Sequence, residues 1–108
     1  MQESMEEKIQ EMVRRIVEAV QPDKIILFGS YARGEAGPNS DVDLLIIAPS
    51  ELPSYKRAMP VYWALRGLGV AKDLLWKTPE EVADWEHVRP HLISRALREG
   101  KVLYEKAA

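Results

Sequence analysis

Two apolar runs, KIILFGS at residues 24–30 and DVDLLIIA at residues 41–48, are separated by only ten residues, Tyr31 to Ser40. Both are rich enough in Ile, Leu and Val to form buried strands. A connection between parallel strands takes about a dozen residues or more, so this spacing predicts an antiparallel pair. The end of the first strand, Gly29 and Ser30, then lies beside the start of the second, Asp41 and Asp43. From Ala48 to Ala71 the chain has more than twenty residues, enough for a helix and a right-handed crossover to a third strand, AKDLLWKT, parallel to the second. Asp73 falls near the N-terminal end of that strand. Three carboxylates and a Gly-Ser turn, spread over more than forty residues, thereby converge on one edge of a sheet.

The rest of the chain supplies helices. Met5, Ile9, Met12, Val13, Ile16, Val17 and Val20 recur at three- and four-residue spacing, an amphipathic helix that stops before QPDK because Pro22 disfavours helical geometry at Gln21. SYARGEA has room for a short helix only, and GPNS is a turn-rich loop. Between Ser54 and Leu68, Tyr55, Met59, Tyr62, Trp63 and Leu65 give an imperfect helical pattern in which Pro60 either opens a helix or kinks a longer one. Thr78 and Glu81 form a capping box with Pro79 at the first helical position, predicting a helix to about Val88. RPHLISRALREG predicts a last helix closed by Gly100, and KVLY an edge strand. The expected class is α/β (α+β), a small mixed sheet flanked by helices in the order α-β-α-β-α-β-α-(β).

A length of 108 residues predicts a single domain over residues 1–108, able to bury roughly two thirds of its unfolded surface. Fifteen Lys and Arg against seventeen Asp and Glu leave a net charge of −2, which argues against nucleic acid as a direct substrate while allowing a local basic patch. The absence of cysteine excludes disulfides and thiolate metal sites. No apolar run approaches the ~20 residues of a membrane span, and the acidic start MQESMEEKIQEM is no secretory leader, so a soluble cytoplasmic protein is expected.

Asp41 and Asp43 share one face of a strand, with Cβ atoms roughly 6 to 7 Å apart at about 3.3 Å per residue. That separation suits a pair of divalent ions ~3.5 to 4 Å apart, the arrangement used for phosphoryl displacement. Mg²⁺ is the natural ion, since it takes few carboxylates and completes its shell with water and phosphate oxygens. Gly29 lets the main chain approach a phosphate, Ser30 offers a hydroxyl, and Arg33 has the donors to reach a phosphate oxygen. Each residue has a plainer alternative: turn residues for the aspartates, a surface ion pair with Glu35 for Arg33. Their combination on one edge favours the phosphate site. His87 and His91 stand four apart, but Pro90 breaks the register and no HExxH acid accompanies them, so no metal is expected there. The default for Trp63, Trp76 and Trp85 is the core. An exposed one would be an anchor for a protein partner, first of all in YKRAMPVYW, where Lys56 and Arg57 read as a solvated face.

The stretch GSYARGEAGPNSDVDLLI resembles the signature of the nucleotidyltransferase superfamily that includes DNA polymerase β, in the short form called minimal nucleotidyltransferase. The matching residues are Gly29, Ser30, Ala32, Arg33, Gly34, Ser40, Asp41, Asp43 and Leu44. The resemblance implies the polymerase β-like fold, with Gly29 and Ser30 on the β and γ phosphates of ATP or another nucleoside triphosphate. It also implies two Mg²⁺ ions on Asp41 and Asp43, with Asp73 as third carboxylate completing the metal site and helping to deprotonate an acceptor. Nucleoside monophosphate would be transferred and pyrophosphate released. The family further implies an antitoxin that adds AMP to a tyrosine of a HEPN-domain partner. Two other functions remain open: an idle antitoxin or nucleotide-dependent regulator that acts by contact, and a transferase acting on RNA ends or a small molecule.

Overall fold

The computed structural model describes residues 4–107. Helix α1 (Met5–Val20) starts at Ser4, whose hydroxyl accepts from the Glu7 N–H at 3.1 Å, with Glu6 and Glu7 in the first turn favoured by the helix dipole. It ends at Gln21, which takes a left-handed conformation and returns its N–H to the Val17 carbonyl at 3.0 Å. Strand β1 (Lys24–Phe28) passes without a loop into the short α2 (Gly29–Arg33), and β2 (Val42–Ile47) follows. Two short helices, α3 (Ser54–Arg57) and α4 (Met59–Ala64), lead to β3 (Lys72–Lys77). Helices α5 (Pro79–Trp85) and α6 (Leu92–Glu99) precede the last strand, β4 (Lys101–Glu105).

The sheet order is β3-β2-β1-β4. As the spacing predicts, β1 and β2 are antiparallel, β2 and β3 parallel, and β4 is an edge strand antiparallel to β1. Strand β2 is central and apolar on both faces. Val42, Leu44 and Ile46 join Ile25 and Leu27 against Ile9, Met12 and Ile16 of α1 and Val61 and Leu65 around α4. Leu45 and Ile47 join Ile26 against Ala96 of α6, with Val82 and Leu97 packed alongside. By strand alternation Asp43 belongs to this second face. Gly100 makes the α6-to-β4 turn possible, because a Cβ there would overlap the Ala96 carbonyl and lie 2.8 Å from the Leu27 carbonyl oxygen.

The structure settles one open alternative and corrects several expectations. The region around Pro60 is two helices, and Pro60 lies in the first turn of the second, so it opens a helix and does not kink one. Helix α5 ends at Trp85, short of Val88: the Glu86 N–H still reaches the Val82 carbonyl at 2.8 Å, but the Val88 N–H turns back to the Trp85 carbonyl at 3.0 Å in a tighter turn. Arg57 is no solvated residue: at 8% exposure its guanidinium donates to the Leu52 carbonyl at 2.9 Å and to the Glu81 carboxylate at 2.5 Å. Trp63 and Trp85 are not core residues but 67% and 44% exposed. On α4 the core-facing residues are Val61 and Leu65, and Trp63, two positions from each, points away, with the Arg66 guanidinium 4.3 Å over its ring. Trp85 stacks on His91 at 4.4 Å. Trp76 is half-buried and donates its indole N–H to the Ala48 carbonyl at 2.8 Å. Among the described residues no helix is long and apolar enough to cross a membrane.

The capping box at Thr78 does more than start α5. The Glu81 carboxylate accepts the Thr78 N–H at 2.8 Å while holding Arg57, so one side chain caps a helix and neutralises a buried cation. The Thr78 N–H holds the Glu81 carboxyl below its ordinary 4.5, and Arg57 adds to this against burial. Its contribution to stability is therefore complete above pH 4.5 and lost on acidification. Glu81→Ala, which removes the cap and strands the buried Arg57, is expected to cost about 2–4 kcal/mol in urea unfolding at neutral pH.

Candidate active site

The site is built where β1 turns into α2. Gly29 has φ +74°, a conformation that costs an L residue about 1–2 kcal/mol. It is constrained a second way by the neighbouring strand: a Cβ at Gly29 would overlap Oδ2 of Asp43 and sit 3.0 Å from its Cγ. Glycine is needed here for both the turn and the space, and the Asp43 carboxylate packs directly over the main chain. Ser30 follows, half-buried, and the turn out of α2 closes when the Glu35 N–H donates to the Ser30 carbonyl at 2.9 Å.

Asp43 stands opposite Phe28 in the antiparallel pair and opposite Asp73 in the parallel pair. Asp41, two residues earlier, lies just ahead of β2. The structure thus brings Gly29, Ser30, Asp41, Asp43 and Asp73 to one end of the sheet. Asp41 and Asp73 are exposed and Asp43 is half-buried. Among the described residues none of the three carboxylates forms an ion pair with a Lys or Arg. Burial raises the Asp43 carboxyl above its ordinary 3.8, helped by the charges of Asp73 and then Asp41 and opposed by Arg33.

Crowded carboxylates without a cation suit a hard, oxygen-seeking ion such as Mg²⁺. Among the described residues no three His, Cys, Asp or Glu side chains are drawn close enough to hold an ion by themselves. An ion here would complete its shell with water or phosphate oxygens.

Arg33 lines the cleft beside Gly29. Its Nε donates to Glu35 at 2.7 Å, the plainer alternative for this residue, and Glu99 and Asp43 also face its charge. The bond to Glu35 uses Nε. His91 uses Nδ1 to accept the Ile93 N–H at 3.1 Å and so caps α6. One neighbour was missed in the sequence: Arg95, which with Leu92, Ala96 and Glu99 forms the wall of α6 facing Gly29 and Arg33. The i, i+3, i+4, i+7 stripe was visible, but the face of the sheet it packs on was not.

A four-stranded mixed sheet with a Gly-Ser turn facing aspartates on two strands defines a nucleotidyltransferase fold. The family model described as nucleotidyltransferase domain matches residues 7–103, and the chain belongs to that family. A protein of Methanocaldococcus jannaschii, MJ0141, assigned by its name to the protein adenylyltransferases, is 49% identical over 39 residues, which are 36% of this chain and 38% of that relative. Among solved structures, a nucleotidyltransferase of Sulfolobus solfataricus superposes with a TM-score of 0.66 at 19% identity, covering 93% of this chain and 79% of the other. A toxin–antitoxin complex with AMP-PNP gives 0.66 at 24% identity, covering 94% and 73%. A variant of the toxin–antitoxin pair MntA–HpeT gives 0.62 at 20% identity, covering 89% and 71%. At these identities the likeness to the solved structures is one of fold. Family and fold agree with the resemblance to minimal nucleotidyltransferases.

The raised Asp43 carboxyl has a thermodynamic consequence. A carboxyl that holds its proton more tightly when folded contributes stability below pH 3.8, and that contribution is lost as pH rises through the raised value. Asp43→Asn is therefore expected to be more stable than the wild type at neutral pH, with the difference closing below pH 3.8. Thermal unfolding at the two pH values checks both halves.

Proposed function

We propose that this chain transfers a nucleoside monophosphate, AMP from ATP, to a tyrosine hydroxyl of a HEPN-type partner protein, releasing pyrophosphate and acting as an antitoxin. The observation that carries it is the Asp43 carboxylate packed over the Gly29 main chain and paired in register with Asp73, which gathers negative charge beside the Gly-Ser turn. Family membership supports nucleotidyl transfer. The name of the Methanocaldococcus relative supports a protein acceptor, and the two toxin–antitoxin structures support a partner toxin. The variant of MntA–HpeT carries glutamate in place of two aspartates two positions apart, the spacing of Asp41 and Asp43.

Gly29 admits the phosphate chain to the main chain, and the Ser30 hydroxyl donates to a phosphate oxygen. Asp41 and Asp43, with Asp73, would hold Mg²⁺, which when bound neutralises phosphate charge. Asp73, exposed on the outer strand, takes the proton of the acceptor hydroxyl as that oxygen bonds to the α-phosphorus. The bond from that phosphorus to the pyrophosphate breaks in the same displacement. Half-burial of Asp43 lowers the local dielectric, so these charges act more strongly than they would in water.

Incubation of the protein with a HEPN-type partner, ATP and Mg²⁺ should add the mass of one AMP to a partner tyrosine, read by intact-protein and peptide mass spectrometry. Asp41→Asn and Asp43→Asn should each slow the addition by roughly 10²- to 10³-fold with the fold intact. An unmodified partner that the Asp variants still silence would instead establish neutralisation by contact.

A further inference from the structure

Beside the Gly-Ser turn the structure holds a cleft of about 130 Å³ between α2 and α6, lined by Phe28, Gly29, Arg33, Leu92, Arg95 and Glu99, with Ala96 beneath. At roughly 30 Å³ per water it has room for about four waters, the size of one phosphoryl group. Whole small-molecule ligands need several hundred Å³. The cleft therefore suits the end of a ligand whose remainder lies elsewhere.

Gly29 is the shared wall. On one side it touches the Asp43 carboxylate, and on the other it opens to this cleft. A phosphate chain that has its reacting end at the aspartates and runs over Gly29 directs its far end between Arg33 and Arg95. The two arginines are not equivalent there. Arg33 is tied to Glu35 at 2.7 Å and faced by Glu99, whereas Arg95, exposed on α6, has no carboxylate within ion-pair distance among the described residues. Glu99, one turn from Arg95, balances Arg33 and leaves Arg95 as the cation with unspent charge.

We infer that Arg95 holds the terminal phosphate of the nucleoside triphosphate, and the departing pyrophosphate after transfer, in the cleft between α2 and α6. This rests on the proposed nucleotidyl transfer and goes further by assigning the leaving-group end of the substrate to a helix distant in sequence from the Gly-Ser and Asp signature.

The test compares Mg²⁺-ATP with Mg²⁺-ADP, which lacks the terminal phosphate, by calorimetric titration of the full chain. Wild type should bind ATP more tightly than ADP. Arg95→Gln should weaken ATP about tenfold or more while leaving ADP nearly unchanged, so the preference disappears, and Arg95→Lys should restore part of it. Lys56→Gln, remote on α3, should change neither. Wild-type ATP affinity in Arg95→Gln would overturn the assignment while leaving the proposed function standing, as would equal weakening of ATP and ADP. A wild type that binds no nucleoside triphosphate would overturn both.

Discussion

The site depends on one contact, the Asp43 carboxylate lying over the main chain at Gly29. A carboxylate on a central strand is costly, since burial and two neighbouring aspartates oppose its ionisation. The fold tolerates it because Asp43 sits at the mouth of β2, where the apolar run from Leu44 to Ile47 has only begun. Remove the glycine and the carboxylate must move.

The sheet carries apolar side chains on both faces, and so small a sheet needs helices on both to bury them. Helix α1 and α4 cover one face and close the core around Met12, Ile16 and Leu65. Helix α6 covers the other, the face that carries Asp43, and stops the site from opening fully to solvent. Because α6, the last helix, packs on β1, its polar residues Arg95 and Glu99 come to line the turn that the first third of the chain creates. Arg57 and Glu81 do the equivalent work at the far side, joining α3 to the start of α5 across 24 residues of sequence.

Much of this was legible in the sequence because it followed from spacing. Ten residues between Ser30 and Asp41 dictated antiparallel pairing, and the long connection after Ala48 dictated a crossover, which together carried Asp73 to Asp43. The capping box at Thr78 and the stop at Gly100 were local and equally readable. What failed to show was anything decided by packing between distant segments. Arg57 looks like any surface arginine until Glu81 is placed beside it. Trp63 and Trp85 looked like core because they are large and apolar, but Val61 and Leu65 had already filled the inward face of α4. Arg33 carried two readings, and it both pairs with Glu35 through Nε and lines the cleft beside Gly29.

The proposed function rests on cations and phosphate meeting at the three carboxylates around the Gly29 turn. Calorimetric titration of ATP into the wild type and into the Asp41→Asn/Asp43→Asn double variant, each with and without Mg²⁺, tests this most directly. The account predicts wild-type binding that requires Mg²⁺ and vanishes in the double variant. Equal binding in all four experiments, or wild-type binding indifferent to Mg²⁺, would contradict it.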